Sequence, residues 1–259
     1  MSYRDLFSEQ AEAYARYRPC YPAELFDFLA GLAPSRRRAV DLAAGSGQAA
    51  VGLAGPFEEV LAVEASPKQL GAALPRPRVA YRLVRAEDTG LPEAYADLVT
   101  IAQALHWLDL DRLWPEVRRI LVPGGVAAVW MYGLARVART DGAQPEEEEI
   151  DLWIGRFYRD VVGPYWPPER RRVDREYEGL PFPFDPVAEA SRAPAELALD
   201  WTLPDLLGYF DSWSAARAYR RDRGTDPVDE VRRPLTAAWG EPGRSRAVRW
   251  PLAWRIGRT

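Results

Sequence analysis

The residues best suited to chemistry follow a hydrophobic segment that is typical of a buried strand. Asp41 lies near the end of this segment, and Gly45-Ser46-Gly47 come shortly after it. Glycine permits a positive φ and lets a ligand approach the backbone, and a helix predicted from Gln48 to Leu53 would begin with unpaired N–H groups. This combination favours a site for a small molecule that carries oxygen acceptors.

Further polar residues follow other predicted strands. Glu64 ends the second strand, Ala86-Glu87 follow the third, and the stretch from Gln103 to Trp107 follows the fourth. Strands that alternate with helices favour a parallel, doubly wound α/β sheet, in which ligands bind beyond the carboxyl ends of the strands. The five predicted strands cover residues 38–44, 60–64, 79–84, 97–104 and 126–132. Helices are also predicted over residues 2–18, 145–162, 203–222 and 227–239, one further helix has Ser66 as its N-cap, and two more strands are predicted over residues 196–201 and 246–256. We therefore expect all four polar segments at one edge of the sheet.

Composition narrows the class of protein. The net charge is −4, so no general basic field points to nucleic acid, and no apolar run reaches the ~20 residues of a membrane span. A single cysteine excludes an internal disulfide, and a single histidine argues against a zinc site. The N-terminus has no apolar signal region, so we expect a cytoplasmic protein that does not bind a membrane.

The identity of the ligand depends on Asp41. Residues 45–50 match the G-x-G-x-x-A pattern of dinucleotide sites, which keeps a nicotinamide-dependent oxidoreductase as an alternative. A carboxylate four residues before Gly45 would repel a pyrophosphate, however, and it suits a ligand with an ammonium group. S-adenosylmethionine (SAM) has that ammonium, a ribose diol for Glu64, and an adenine for the loop after the third strand.

Several motifs together resemble one family. Residues 40–48 (VDLAAGSGQ), 63–66 (VEAS), 86–88 (AED) and 121–125 (LVPGG) are similar to motifs of class I SAM-dependent methyltransferases of the type 11-like group. Residues 17–22 (YRPCYP), 102–107 (AQALHW), 212–214 (SWS) and 250–252 (WPL) resemble the branch that contains trans-aconitate and cantharidin methyltransferases, which act on small carboxylic acids. The resemblance covers nearly the whole chain, whereas residues 133–195 diverge.

The resemblance implies the fold. It predicts a Rossmann-like, doubly wound α/β domain with a mainly parallel seven-stranded sheet, an antiparallel last strand and a helical lid insertion. One domain would span residues 1–259, with an N-terminal helical cap (1–35), a cofactor-binding core (36–132), a lid and substrate insertion (133–195), and C-terminal strands and helices (196–259).

The resemblance also implies the cofactor site. No metal is expected, because the chain has one histidine and no cysteine cluster. SAM would be converted to S-adenosylhomocysteine. The residues predicted to bind the cofactor are Arg18, Asp41, Ala43, Gly45, Ser46, Gly47, Glu64, Ala65, Ala86, Glu87 and Gln103. Ala43 replaces the family's first glycine, and we expect a negative φ there, because an alanine methyl then fits.

The acceptor side centres on His106. We predict methyl transfer to a small molecule at oxygen, with a carboxylate as the favoured acceptor group. His106 is the candidate catalytic residue: a hydroxyl acceptor would need it as a base, whereas a carboxylate is already ionised at pH 7. The predicted substrate residues are Tyr14, His106, Trp107, Tyr132 and Trp213. A protein that binds SAM without transferring its methyl group remains a second alternative.

Overall fold

The structure is a computed structural model that describes residues 17–73, 75–137, 142 and 144–259. Tyr14 and most of the helix predicted over residues 2–18 lie outside the described residues. The chain divides into two compact units. Of the described residues, the sheet unit comprises those within 20–132, 171–195 and 252–259, and the helical unit comprises those within 17–19, 133–170 and 196–251.

The sheet unit carries the parallel sheet. Strands β1 to β5 pair in parallel, and the C-terminal part of β8 pairs antiparallel with β5, as predicted for the last strand. The strand order is β3-β2-β1-β4-β5-β8-β6, where β6 has two residues, and β7 (Glu196–Trp201), which pairs with β8, is the eighth strand. These strands are β1 (Arg38–Leu42), β2 (Glu59–Glu64), β3 (Val79–Leu83), β4 (Ala96–Ala102), β5 (Leu121–Tyr132), β6 (Asp185–Pro186) and β8 (Arg246–Arg258).

The central strands form because they are apolar on both faces. In β4, every residue from Ala96 to Ile101 is buried, which is typical of a parallel sheet with both faces covered. Asp41 on β1 and Thr100 on β4 are buried polar residues in this otherwise apolar region, and they are register partners. A buried polar pair at this position already points to a special role for the carboxyl end of β1.

Within the described residues, four helices belong to the sheet unit, and in a fifth, α6 (Arg170–Asp174), the chain passes from the helical unit to the sheet unit. They are α1 (Ala23–Leu32), α2 (Gln48–Leu53), α3 (Pro67–Gly71), α4 (Leu110–Ile120) and α6 (Arg170–Asp174). The bounds of α2 are those predicted. Ser66 caps α3 as predicted, because its hydroxyl accepts from the Gln69 N–H at 3.3 Å. Asp109 occupies the N-cap of α4 without a side-chain capping bond.

The helical unit differs from the prediction in two places. The helix predicted over residues 145–162 ends as α5 at Arg156 and continues as a π-helical turn, Phe157–Val161. The helix predicted over 203–222 is broken at Ser212 and Trp213, where an aromatic side chain enters the core instead of continuing the helix. The unit's elements are α5 (Pro145–Arg156), β7 (Glu196–Trp201), α7 (Leu203–Asp211), α8 (Ser214–Arg223) and α9 (Asp229–Trp239).

Strand β7 pairs antiparallel with residues 246–251 of β8. None of the helices in the described ranges is long and apolar enough to cross a membrane. The division into cap, core, insertion and C-terminal segment stays a prediction.

Candidate functional site

Two adjacent strands, β1 and β4, are each followed by a residue with a strained backbone conformation. Ala43 after β1 has φ 54° and Gln103 after β4 has φ 55°, so both non-glycine residues are left-handed. Such a conformation costs about 1–2 kcal/mol for an L-residue and is concentrated at functional sites. The negative φ expected at Ala43 is therefore wrong: the Ala44 N–H bonds to the Val63 carbonyl at 3.0 Å, and this ladder contact turns the chain sharply after β1.

The glycine turn lies directly after this residue. Residues 43–46 are partly exposed, Gly45 has φ 60°, and Gly47 has φ 88° at the N-cap of α2. A Cβ built on Gly47 would lie 2.5 Å from the Tyr81 hydroxyl, so this position requires glycine for space as well as for backbone conformation. The turn thus exposes backbone groups where a ligand can approach them.

Glu64 joins the turn to the neighbouring loop. Its Oε2 accepts from the Gly45 N–H and its Oε1 accepts from the Ser66 N–H, both at 2.8 Å. Each carboxylate oxygen has two lone pairs, so these bonds leave capacity for two hydroxyl donors such as a ribose diol. Ala65, between Glu64 and Ser66, is partly exposed.

Asp41 lies near the carboxyl end of β1 and is fully buried. Its Oδ1 accepts from the Thr100 hydroxyl at 2.7 Å, whereas its Oδ2 has no hydrogen-bond partner. Burial raises the pKa of Asp41 to about 7, although the Thr100 hydroxyl and the Ala50 N–H act in the opposite direction. A buried carboxylate oxygen without a partner suits a cationic donor, which the ammonium of SAM would supply.

The third loop holds its acidic residue firmly. Ala86 and Glu87 are buried, and the Glu87 Oε1 accepts from the Asp109 N–H at 3.1 Å and from Arg85 at 3.3 Å. The carboxylate therefore ties the loop after β3 to the start of α4. A contact between this loop and an adenine would fall to backbone groups or to the second carboxylate oxygen.

The loop after β4 brings the acceptor-side residues together. The Gln103 amide donates to the Tyr132 carbonyl at 3.1 Å, which joins this loop to the end of β5. His106 is buried in a short 3-10 turn, Leu105–Trp107, and its ring centroid lies 4.6 Å from that of Trp107. Three predicted acceptor-side residues, His106, Trp107 and Tyr132, thus belong to the sheet unit.

Two predicted site residues belong to the helical unit. Arg18 donates to the Ser212 carbonyl at 3.1 Å, and its guanidinium lies over the Tyr209 ring. Trp213 is 2% exposed, and its ring packs against several aromatic neighbours. These neighbours are Phe157, Tyr158, Trp166, Tyr209 and Phe210. Trp213 is a core residue of that unit.

Sequence reasoning missed three residues of the sheet unit. Thr100, the partner of Asp41, had a visible signal, because it is a polar residue within an apolar strand. Gln69 is 5% exposed, and its Oε1 has no hydrogen-bond partner and lies 3.9 Å from a Cβ built on Gly45. Tyr177, whose hydroxyl lies 2.9 Å from His106 Nδ1, follows no motif and had no signal at all. Among the described residues, no cluster of three or more His, Cys, Asp or Glu side chains is arranged to hold a metal ion.

A parallel sheet with a glycine turn after β1 and a carboxylate at the end of β2 defines a Rossmann-like nucleotide-binding protein. Comparison with known proteins narrows the class. A family model described as a methyltransferase domain matches residues 40–129. A solved structure from Anaeromyxobacter dehalogenans, named a type II methyltransferase, is 45% identical with a TM-score of 0.83, covering 93% of this chain and 98% of that one.

Curated relatives agree. A Dictyostelium discoideum protein named as a methyltransferase is 33% identical over 236 residues, which cover 91% of this chain and 86% of the relative. A Saccharomyces cerevisiae protein named as a SAM-dependent methyltransferase is 26% identical and covers 83% and 82% of the two chains. The chain belongs to the class I SAM-dependent methyltransferases. SAM is its cofactor, and the nicotinamide-dependent alternative is wrong.

Proposed function

We propose that this methyltransferase acts on a small molecule and transfers the methyl group to an oxygen, with a carboxylate as the acceptor group. SAM supplies an electrophilic methyl group on a sulfonium. The chain itself has to bind the cofactor, align the acceptor and exclude water, because an in-line displacement depends mainly on alignment.

The cofactor would be held at the carboxyl edge of the sheet. We assign the ammonium to the unpartnered Oδ2 of Asp41, and the ribose hydroxyls to Glu64, whose oxygens keep lone pairs for them. The turn from Ala43 through Gly45, Ser46 and Gly47, of which residues 43–46 are partly exposed, would offer backbone N–H groups to the methionine portion. Supporting contacts would come from Ala65, Ala86, Glu87 and Gln103, which all belong to the sheet unit.

The carboxylate proposal is supported by one observation: a positive charge lies next to His106. Arg172 Nη1 donates to the His106 carbonyl at 3.2 Å, which holds the guanidinium at the loop after β4. That contact uses one of five N–H donors of the guanidinium, and among the described residues the Arg172 side chain donates no other hydrogen bond. A guanidinium binds a carboxylate through paired hydrogen bonds, and a carboxylate needs no base at neutral pH. His106 would then orient the acceptor.

Transfer of a labelled methyl group from SAM into a panel of small carboxylic acids, phenols and amines tests the proposal. We expect label in acid-derived products that alkali hydrolyses, as it does methyl esters. Label only in phenols or amines would refute the carboxylate acceptor, and no transfer to any compound while SAM binds would favour a macromolecular acceptor.

A pair of variants tests the role of Arg172. Arg172→Gln should raise KM for the preferred acid about 10-fold to 100-fold, because a charge-assisted hydrogen bond contributes about 1.5–3 kcal/mol. Arg171→Gln is the matched control, since the neighbouring side chain is exposed and has no hydrogen bond among the described residues. Equal KM values in the two variants would exclude Arg172 from acceptor binding.

A further inference from the structure

Tyr177 and His106 form a buried pair that brings together distant parts of the sequence. The Tyr177 hydroxyl lies 2.9 Å from His106 Nδ1, and the two residues are 1% and 6% exposed. Seventy-one positions separate them along the chain. Because a buried hydrogen bond is strengthened by low local polarity, this contact has a strong effect on the orientation of the imidazole.

The chain is strained so that Tyr177 reaches this position. Glu176 and Tyr177 are both left-handed, with φ 52° and 59°, at the end of α6. Their N–H groups bond back to the Val173 and Arg172 carbonyls at 2.8 Å, and Arg255 donates to the Tyr177 carbonyl. Two successive left-handed residues without glycine cost about 1–3 kcal/mol each, so the surrounding contacts must compensate for holding this ring in place.

Arg172 fixes the other member of the pair. The Arg172 side chain donates to the His106 carbonyl, and the Arg172 backbone carbonyl accepts from the Tyr177 N–H. The backbone of His106 and the side chain that touches its ring are therefore attached to one short segment. This segment positions the ring relative to the loop after β4.

The direction of the hydrogen bond follows from acidity. A neutral imidazole has one N–H donor and one acceptor nitrogen, and a phenol can act as either. Within this pair the phenol O–H is a stronger acid than the imidazole N–H, and the imidazole nitrogen is a stronger base than the phenol oxygen. This difference favours donation from the Tyr177 O–H to Nδ1, which would place the imidazole proton on Nε2.

We propose that Tyr177 is a positioning residue that fixes His106 as the tautomer protonated at Nε2. His106 then acts as a hydrogen-bond donor and not as a base. This inference rests on the proposed function for its catalytic consequence, because a donor suits an acceptor that is already anionic. The tautomer itself can be tested without any acceptor.

The single histidine makes the test direct. Protein labelled with ¹⁵N-histidine gives the signals of one imidazole in a long-range ¹H–¹⁵N spectrum. We expect protonated Nε2 and unprotonated Nδ1 in the wild-type protein, and mixed tautomers in Tyr177→Phe. The matched control is Tyr95→Phe, which loses the hydroxyl of a partly buried ring next to Arg38 at the start of β4. Protonated Nδ1 in the wild type, or unchanged tautomers in Tyr177→Phe, would overturn the proposal.

Kinetics give a second readout. With the acid from the panel that is turned over fastest, Tyr177→Phe should lower kcat about 10-fold to 100-fold and leave KM for SAM within about 2-fold, because misalignment acts on the transferred group. An unchanged kcat would remove the catalytic consequence. If no acid is methylated, the acceptor assignment fails, and the spectra alone still decide the tautomer.

Discussion

Replacing Asp41 by asparagine should make the stability of the protein depend on pH in a different way. The carboxyl group is fully buried, accepts one hydrogen bond from Thr100, and has an Oδ2 without a partner. Burial raises the pKa of Asp41 from 3.8 to about 7. Asparagine keeps the shape of the side chain and the acceptor for Thr100 but cannot ionise, so the substitution isolates the effect of the charge.

The sign follows from proton uptake. Between pH 4 and pH 7 the folded protein holds a proton on Asp41 that the unfolded chain has released, so the free energy of unfolding falls as pH rises through this window and levels off above pH 7. A pKa raised from 3.8 to about 7 corresponds to about 4 kcal/mol in the free energy of unfolding. About 3 kcal/mol of this loss in the free energy of unfolding should occur between pH 5 and pH 8.

Urea unfolding of wild-type protein and Asp41→Asn at pH 5 and pH 8 measures this effect. The variant should gain about 3 kcal/mol relative to wild type on going from pH 5 to pH 8, and other titrating groups cancel in the comparison. A relative stability that changes by less than about 0.5 kcal/mol would refute an Asp41 that is protonated when the protein is folded.

Cofactor binding gives the functional half of the prediction. If the ammonium of SAM pairs with ionised Asp41, the affinity of the wild type should fall by up to about tenfold for each pH unit below 7, as the carboxylate has to lose its proton first. Asp41→Asn should bind weakly with little dependence on pH. Calorimetric titration that shows a flat profile for the wild type would assign Asp41 to support of the turn instead of the cofactor.

Two further substitutions examine the glycine turn. Ala43→Gly should stabilise the protein by about 0.5–1 kcal/mol. The substitution removes about 1–2 kcal/mol of left-handed strain, and the greater conformational entropy of glycine in the unfolded chain offsets part of this gain. A lower melting temperature in the variant would contradict the strain at Ala43. Gly47→Ala should destabilise by about 2–4 kcal/mol, from its φ of 88° and the overlap with Tyr81, and also weaken SAM binding. In the double variant Gly47→Ala/Tyr81→Ala, the part of the destabilisation that comes from the steric overlap should disappear, whereas the part that comes from φ should remain. If the two substitutions have additive effects on the free energy of unfolding, the overlap is excluded.

Local patterns predicted the elements well. Helix α2 and strand β7 have the predicted bounds, and β1 to β4 differ from them by at most two residues at each end, because apolar runs between glycine, proline and capping residues define such segments. The start of β5 was missed by five residues, because Pro123 and two glycines favour a turn, whereas the sheet continues through them.

The geometry of the site was less predictable. The left-handed φ of Ala43 depends on a ladder hydrogen bond to Val63, which no pattern of single residues encodes. Tyr177 reaches His106 only through the turn at Glu176, in a segment without a recognised motif. The sequence therefore predicted which loops form the site, while tertiary contacts determine which side chains each loop presents.

The two hydrogen bonds that Glu64 accepts have a consequence for the thermodynamics of recognition. One carboxylate immobilises the amide of the glycine turn and that of the following loop, so the entropy of ordering both is lost during folding and not during association. When a nucleoside binds to these preorganised loops, the protein chain loses little additional conformational freedom. We therefore expect cofactor binding to be fast and to carry a small entropic penalty. Weakening the hydrogen bonds of Glu64 to the two loops should slow cofactor binding even where the direct contacts to the cofactor remain.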